Sequence, residues 1–252
     1  MSTPIIKANL TPERIVKWLF GMVAVLLAAN LLAIYTKYVM GHPYQIFWLF
    51  YFDEEANIPT LYSFVVLVIC SVFLWITGSL EKVKIQKQSI FWKGLACVFA
   101  FIAIDELSGI HETFNNDGTK LLGGFTADGY LYYAWLIPYG VFFAVISIFF
   151  VKQYLRLPRQ TKFILFIGMA VFLAGSVIFE MIGARYVATH DEGMDRLGYA
   201  LIATVEELLE KIGIIIFLYA ILKFYVAQHG KAEFRISISQ KTKVVNNLRG
   251  VS

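Results

Sequence analysis

Asp105, Glu106, Ser108, His111 and Glu112 crowd into eight residues of one apolar run, and Glu206, Glu207, Glu210 and Lys211 into six of another. Glu180 stands in a third, followed by Arg185. An ionised side chain at bilayer depth costs roughly 3 kcal/mol on insertion scales, so such groups mark sites that bind or react. Several carboxylates cannot share a low-dielectric space while all are ionised. Either some of them carry protons or a cation sits among them. Carboxylates joined by one imidazole suit zinc, iron or manganese, and carboxylates alone suit calcium. The pattern therefore predicts a divalent metal held by Asp105, His111, Glu180, Glu206 and Glu207, with Glu112 and Glu210 as catalytic acid or base. Ser108, Arg185 and Lys211 are then the groups for substrate or for support of the ligands. Glu207 precedes Lys211 by one helical turn, the favourable order for an ion pair.

Depth is the reason to connect three separate runs. At 1.5 Å per residue, Asp105, Glu180 and Glu206 each fall roughly 10–14 Å from the same end of their helices. In the third run, residues 89–114, a 100° step per residue puts Asp105, Ser108 and Glu112 within about 60° of one another, with His111 beside Ser108 and Glu106 pointing elsewhere. Ser176, Glu180 and Gly183 share a stripe of the fifth run in the same way. Asp53-Glu54-Glu55 reads as a solvated loop on the same side.

The elements that must carry these groups are apolar helices. Hydrophobic residues make up 58% of the 252 residues and charged residues 16%, a balance that excludes an ordinary soluble domain. Six runs reach the length a membrane span requires: residues 14–38, 60–78, 89–114, 129–154, 161–187 and 197–226. The fold class expected is all-α, a six-helix transmembrane bundle over residues 1–226 with a basic tail at 227–252. The first run lacks a small-residue cleavage site and reads as an anchor that stays in place. Pro138 reads as a kink in the fourth run. Cys70 and Cys97 both fall in apolar sequence and indicate no disulfide framework.

Charge orients the bundle. Seventeen of the twenty-two Lys and Arg residues fall on one side of the predicted spans, and fifteen of the eighteen acids on the other. The basic side is cytoplasmic, so both termini are expected inside, in a bacterial inner membrane, with the acids facing outward.

Two resemblances attach to these residues. Ser108 and His111 with the nearby carboxylates resemble the Ser, His and Asp set of the membrane metal-hydrolase superfamily that includes the alkaline ceramidases. The last run here has Glu206-x-x-x-Glu210 where that family has His-x-x-x-His, and six spans where it has seven. Glu207-x-x-x-Lys211-x-Gly213 is similar to the last-helix motif of the microbial rhodopsins, whose third-helix signature this chain lacks. The first resemblance implies a hydrolase acting on a lipid, the second a lysine that holds retinal.

Three functions follow as expectations. A metal-dependent membrane enzyme would hydrolyse or oxidise a lipid or other amphiphile. A proton- or cation-coupled transporter would use the acids to bind its driving ion. A non-catalytic subunit or assembly factor would press them against a membrane protein partner or a second copy of itself. Membrane lipids are partners in each case, and no feature suggests nucleic acid.

Overall fold

The computed structural model describes residues 11–42, 45–81, 86–111, 129–190 and 193–230. Among them there are helices and turns and no strand. Among the described residues, four helical stretches are long and apolar enough to cross a membrane: Pro12–Tyr38, Ile58–Glu81, Leu136–Leu155 and Arg159–Thr189.

Local chemistry sets the ends of the helices. Helix α1 (Pro12–Tyr38) starts after Thr11, whose hydroxyl accepts from the Arg14 amide at 3.4 Å, with proline in the first turn where no amide is missed. A short helix, α2 (Gln45–Phe50), precedes α3 (Ile58–Glu81), which is capped by Asn57 Oδ1 accepting from the Thr60 amide at 3.1 Å. The next helix, α4 (Gln86–Ser108), stops at Gly109, whose φ of +57° is a left-handed value suited to glycine. This is earlier than the end at residue 114 that the apolar pattern predicts.

A 3₁₀ turn (Gly129–Leu131) leads to α5 (Leu136–Leu155). Because α5 starts at residue 136 and not 129, Pro138 lies in its first turn. No intrahelical donor is lost there, and the expected kink has no cause. The 31-residue stretch Arg159–Thr189 divides into α6 (Arg159–Leu173), a π turn (Ala174–Phe179) and α7 (Glu180–Thr189). Last comes α8 (Leu197–His229), closed by Gly230 at φ +76°.

The central helix is α8, which packs against α1, α3, α6 and α7. Glycines allow the closest crossing: a Cβ at Gly168 would stand 2.9 Å from the Phe217 amide nitrogen, and one at Gly213 2.6 Å from that of Phe172. Towards the ends marked by Glu81, Arg159 and His229 the interior is apolar, with Cys70, Leu74, Trp92, Ile215, Leu218 and Ile221 all fully buried. Towards the opposite end it turns polar. There Asn30, in an otherwise apolar stretch of α1, donates to Thr204 of α8 at 2.9 Å and accepts from the Phe52 amide at 2.9 Å. That side chain helps to fasten the α2–α3 segment over the top of α8.

Candidate functional site

The polar end is built around Lys211. Its side chain is fully buried on α8 and donates to Glu207 one turn earlier, as the spacing predicts. Glu106 of α4 lies within electrostatic range of both Lys211 and Glu207 and accepts a hydrogen bond from Ser63 of α3. Glu210 joins the same group, within range of Glu207, Glu106 and Lys211. The ring of Phe52 covers the ammonium at 4.9 Å. Glu106 points elsewhere than Asp105, as the helical steps predict: Asp105 faces α5, and Glu106 faces α3 and α8.

A second group of acids adjoins the first. Glu180, the first residue of α7, accepts from the Trp135 indole at 3.0 Å and lies within hydrogen-bonding reach of Glu206 on α8. The crossing is intimate, since a Cβ at Gly175 would stand 2.6 Å from the Glu206 carbonyl and 2.9 Å from Glu210 Cγ.

Asp105 forms the third group. The break at Gly109 turns the chain back, so that the His111 amide donates to Asp105 Oδ1 at 2.9 Å and the His111 Nδ1 approaches Oδ2 at 3.1 Å. The Tyr139 hydroxyl donates to Oδ1 at 2.9 Å, and the edge of Trp135 meets the imidazole at 5.2 Å between centroids. The arrangement is carboxylate to imidazole to indole to carboxylate, ending at Glu180. Residues predicted at one depth on three helices thus do fall into one network, although Asp105 reaches Glu180 only through His111 and Trp135.

The same break corrects the face predicted for α4. Ser108, its last residue, is exposed and its hydroxyl donates to the Ile104 carbonyl at 2.5 Å, away from the acids. Glu112 lies outside the described residues. Arg185 is exposed, with its guanidinium 5.7 Å from the centre of the Tyr130 ring. Neither Ser108 nor Arg185 joins the cluster.

Asp53 does join it, against the expectation of a solvated loop. It accepts from the Tyr199 hydroxyl at 3.1 Å, and Tyr133 stands 3.3 Å from the same hydroxyl. Burial pushes the Asp53 carboxyl up to about 8, helped by the charges of Glu207, Glu180 and Glu54; the Tyr199 hydrogen bond pulls the other way. Next to it Glu55 rests on Gly109, where a Cβ would collide with the carboxylate.

Several of the carboxylates have a donor: Glu207 has Lys211, Glu180 has Trp135, and Asp105 has His111 and Tyr139. Among the described residues, no three His, Cys, Asp or Glu side chains converge closely enough to hold one metal ion. A family model described as a domain of unknown function (DUF8692) matches residues 18–224. The chain belongs to that family. The stretch matched by DUF8692 takes in all the groups of the site, from Asn30 to Lys211, and omits the start of α1, the end of α8 and the basic tail. No curated protein and no solved structure matches the chain.

Residue types and spacing do not single out several residues of the site, among them Asn30, Asp53, Glu106, Trp135, Tyr139 and Tyr199. One signal for Asn30 was present, a lone amide in an apolar span, where a polar side chain has to find a partner.

Proposed function

We propose that this chain is a six-span membrane protein in which α4 and α8 also cross, with both termini on the basic, cytoplasmic side of a bacterial inner membrane. Its outward half holds a proton-exchanging carboxylate site, and the protein is a proton- or cation-coupled transporter. One observation carries the reading: among the described residues one buried ammonium, Lys211, sits among Glu106, Glu207 and Glu210, with Glu180 and Glu206 alongside. Five carboxylates against one ammonium leave an excess of negative charge that a low-dielectric interior does not tolerate. Protons or a small cation balance it, and a site that takes up and releases them is what a coupled carrier needs. The packed apolar layer beneath suits a carrier closed on its basic side.

Reconstitution into vesicles tests this. Wild-type protein should give a flux that follows an imposed pH or cation gradient, and Glu206→Gln and Glu210→Gln should each abolish it. Flux no greater than in empty vesicles would overturn the reading.

A second reading keeps the site and changes its cation. Asp105 fixes the orientation of the His111 ring, as outer carboxylates do for metal-bound imidazoles. A divalent ion bound by His111 and Glu180 or Glu206, with Glu210 and Glu112 handling protons, would make the protein a metal-dependent enzyme acting on a lipid. It requires the acids to leave the partners they have. Stoichiometric metal in purified protein, lost in Glu206→Gln, would favour it.

A further inference from the structure

Helices α5 and α6 are joined by only residues 156–158, yet they do not pack along each other: α5 packs on α4, and α6 packs on α8. A short connection ordinarily makes packed neighbours of two helices. Here the pair opens into a wedge whose walls are apolar. Leu155 and, two turns earlier on the same stripe of α5, Ile148 are more than half exposed, as are Phe163 and Phe166 of α6.

The apex of the wedge is a cleft of about 350 Å³ lined by Tyr154, Leu155, Arg159, Lys162, Phe163 and Phe166. The turn holds its shape. Leu157 is buried in the core, the Tyr154 hydroxyl donates to the Lys162 carbonyl at 2.8 Å, and Lys162 Nζ donates to the Leu155 carbonyl at 3.3 Å. On α6 the four lining residues stand at spacings of three, four and seven, within about 100° of one another. The cations occupy the first turn and the phenyl rings the next two, with about 10 Å along the axis between Arg159 and Phe166. Charge at the helix end and apolar surface deeper in the span is the profile of a phospholipid, phosphate first and acyl chain beyond.

The sign of the charge selects the headgroup. Among the described residues none that lines the cleft is acidic, so a choline or ammonium group would find no counter-charge there. The tail carries Lys231, Arg235, Lys241, Lys243 and Arg249 against Glu233, the same sign as the cleft, and does not complement it.

We infer that the wedge between α5 and α6 is a binding site for one anionic phospholipid, its phosphate on Arg159 and Lys162 and an acyl chain along Phe163 and Phe166. Basic pockets between transmembrane helices take acidic headgroups in this way. The orientation proposed above puts the site in the cytoplasmic leaflet; the site itself depends neither on that orientation nor on transport.

Native mass spectrometry of the full chain tests this, with dioleoyl phosphatidylglycerol or dioleoyl phosphatidylcholine added at equal concentration. Wild type should retain one phosphatidylglycerol and hold phosphatidylcholine far more weakly, a comparison that needs no variant. Arg159→Gln should weaken phosphatidylglycerol binding by roughly fivefold, and adding Lys162→Gln should weaken it by roughly as much again. The pair Lys17→Gln, Lys87→Gln removes two exposed cations from the same end of the bundle and should leave binding unchanged. Equal retention of the two lipids, or an equal loss in that control pair, overturns the site. A dimer that carries no lipid also overturns it, and would assign the wedge to a second copy of the chain. Flux plays no part in the readout, so failure here and failure of the transporter reading are separate results.

Discussion

The two ends of the bundle are assembled by opposite rules. Around Leu218, Ile221 and Trp92 the interior is apolar and fully buried, and helices lock by glycine contact at Gly168 and Gly213. Around Lys211 the same α8 carries Glu206, Glu207 and Glu210, and every neighbouring element adds a polar group: Asn30, Asp53, Ser63, Glu106 and Glu180. The apolar end is held by dispersion and burial, which are indifferent to pH. The polar end depends on charge balance and so on proton concentration.

The largest expected effect comes from unbalancing the charge. Lys211→Met leaves the partly buried Glu207 beside Glu106 and Glu210 without its ammonium, and breaking a buried pair costs at most about 3–5 kcal/mol. Folded yield on gel filtration should collapse, and the double variant Lys211→Met, Glu207→Gln should recover much of it. A single variant as stable as wild type would break the contrast between the two ends.

At the apolar end, Gly213→Ala forces a methyl group to within 2.6 Å of the Phe172 backbone. Overpacking of this kind costs about 1–3 kcal/mol. The fall in thermal midpoint in detergent should be the same at acidic and alkaline pH. A strongly pH-dependent penalty would mean that the two ends are not separate.

Asp53 gives a smaller and signed effect. Its carboxyl is held at about 8 in the fold and near 4 in an unfolded chain, so between those values the native state binds the extra proton. This contribution to stability is fully present below about pH 4, declines as pH rises towards 8 and is flat above. Asp53→Asn should flatten that slope and raise the midpoint at pH 8 by about 2–4 °C for each kcal/mol relieved. The smallest effect belongs to Ser108→Ala, where the hydroxyl only bonds its own helix and the change should stay within about 0.5 kcal/mol.

Much of this was legible from residue types alone. The apolar runs locate the helices, because lipid-length hydrophobic stretches have few alternatives. The pairing of Glu207 with Lys211 follows from a one-turn spacing within an unbroken stretch of α8. What stayed hidden depends on backbone departures from regular helix. Gly109 ends α4 early, which turns His111 back onto Asp105 and strands Ser108 outside. The π turn re-aims Glu180 by about one residue of rotation. The placement of Asp53 depends on Asn30, twenty-three positions earlier, holding the intervening segment over α8. A face drawn from 100° steps fails wherever one residue leaves the step.

The most direct test of the central claim is infrared spectroscopy of the full chain in lipid, titrated across pH. The account expects carboxylic-acid C=O bands from protonated side chains at neutral pH, reduced by both Glu206→Gln and Glu210→Gln, with no stoichiometric divalent metal in the same sample. A spectrum of carboxylates alone, accompanied by one tightly held metal ion per chain, would contradict it.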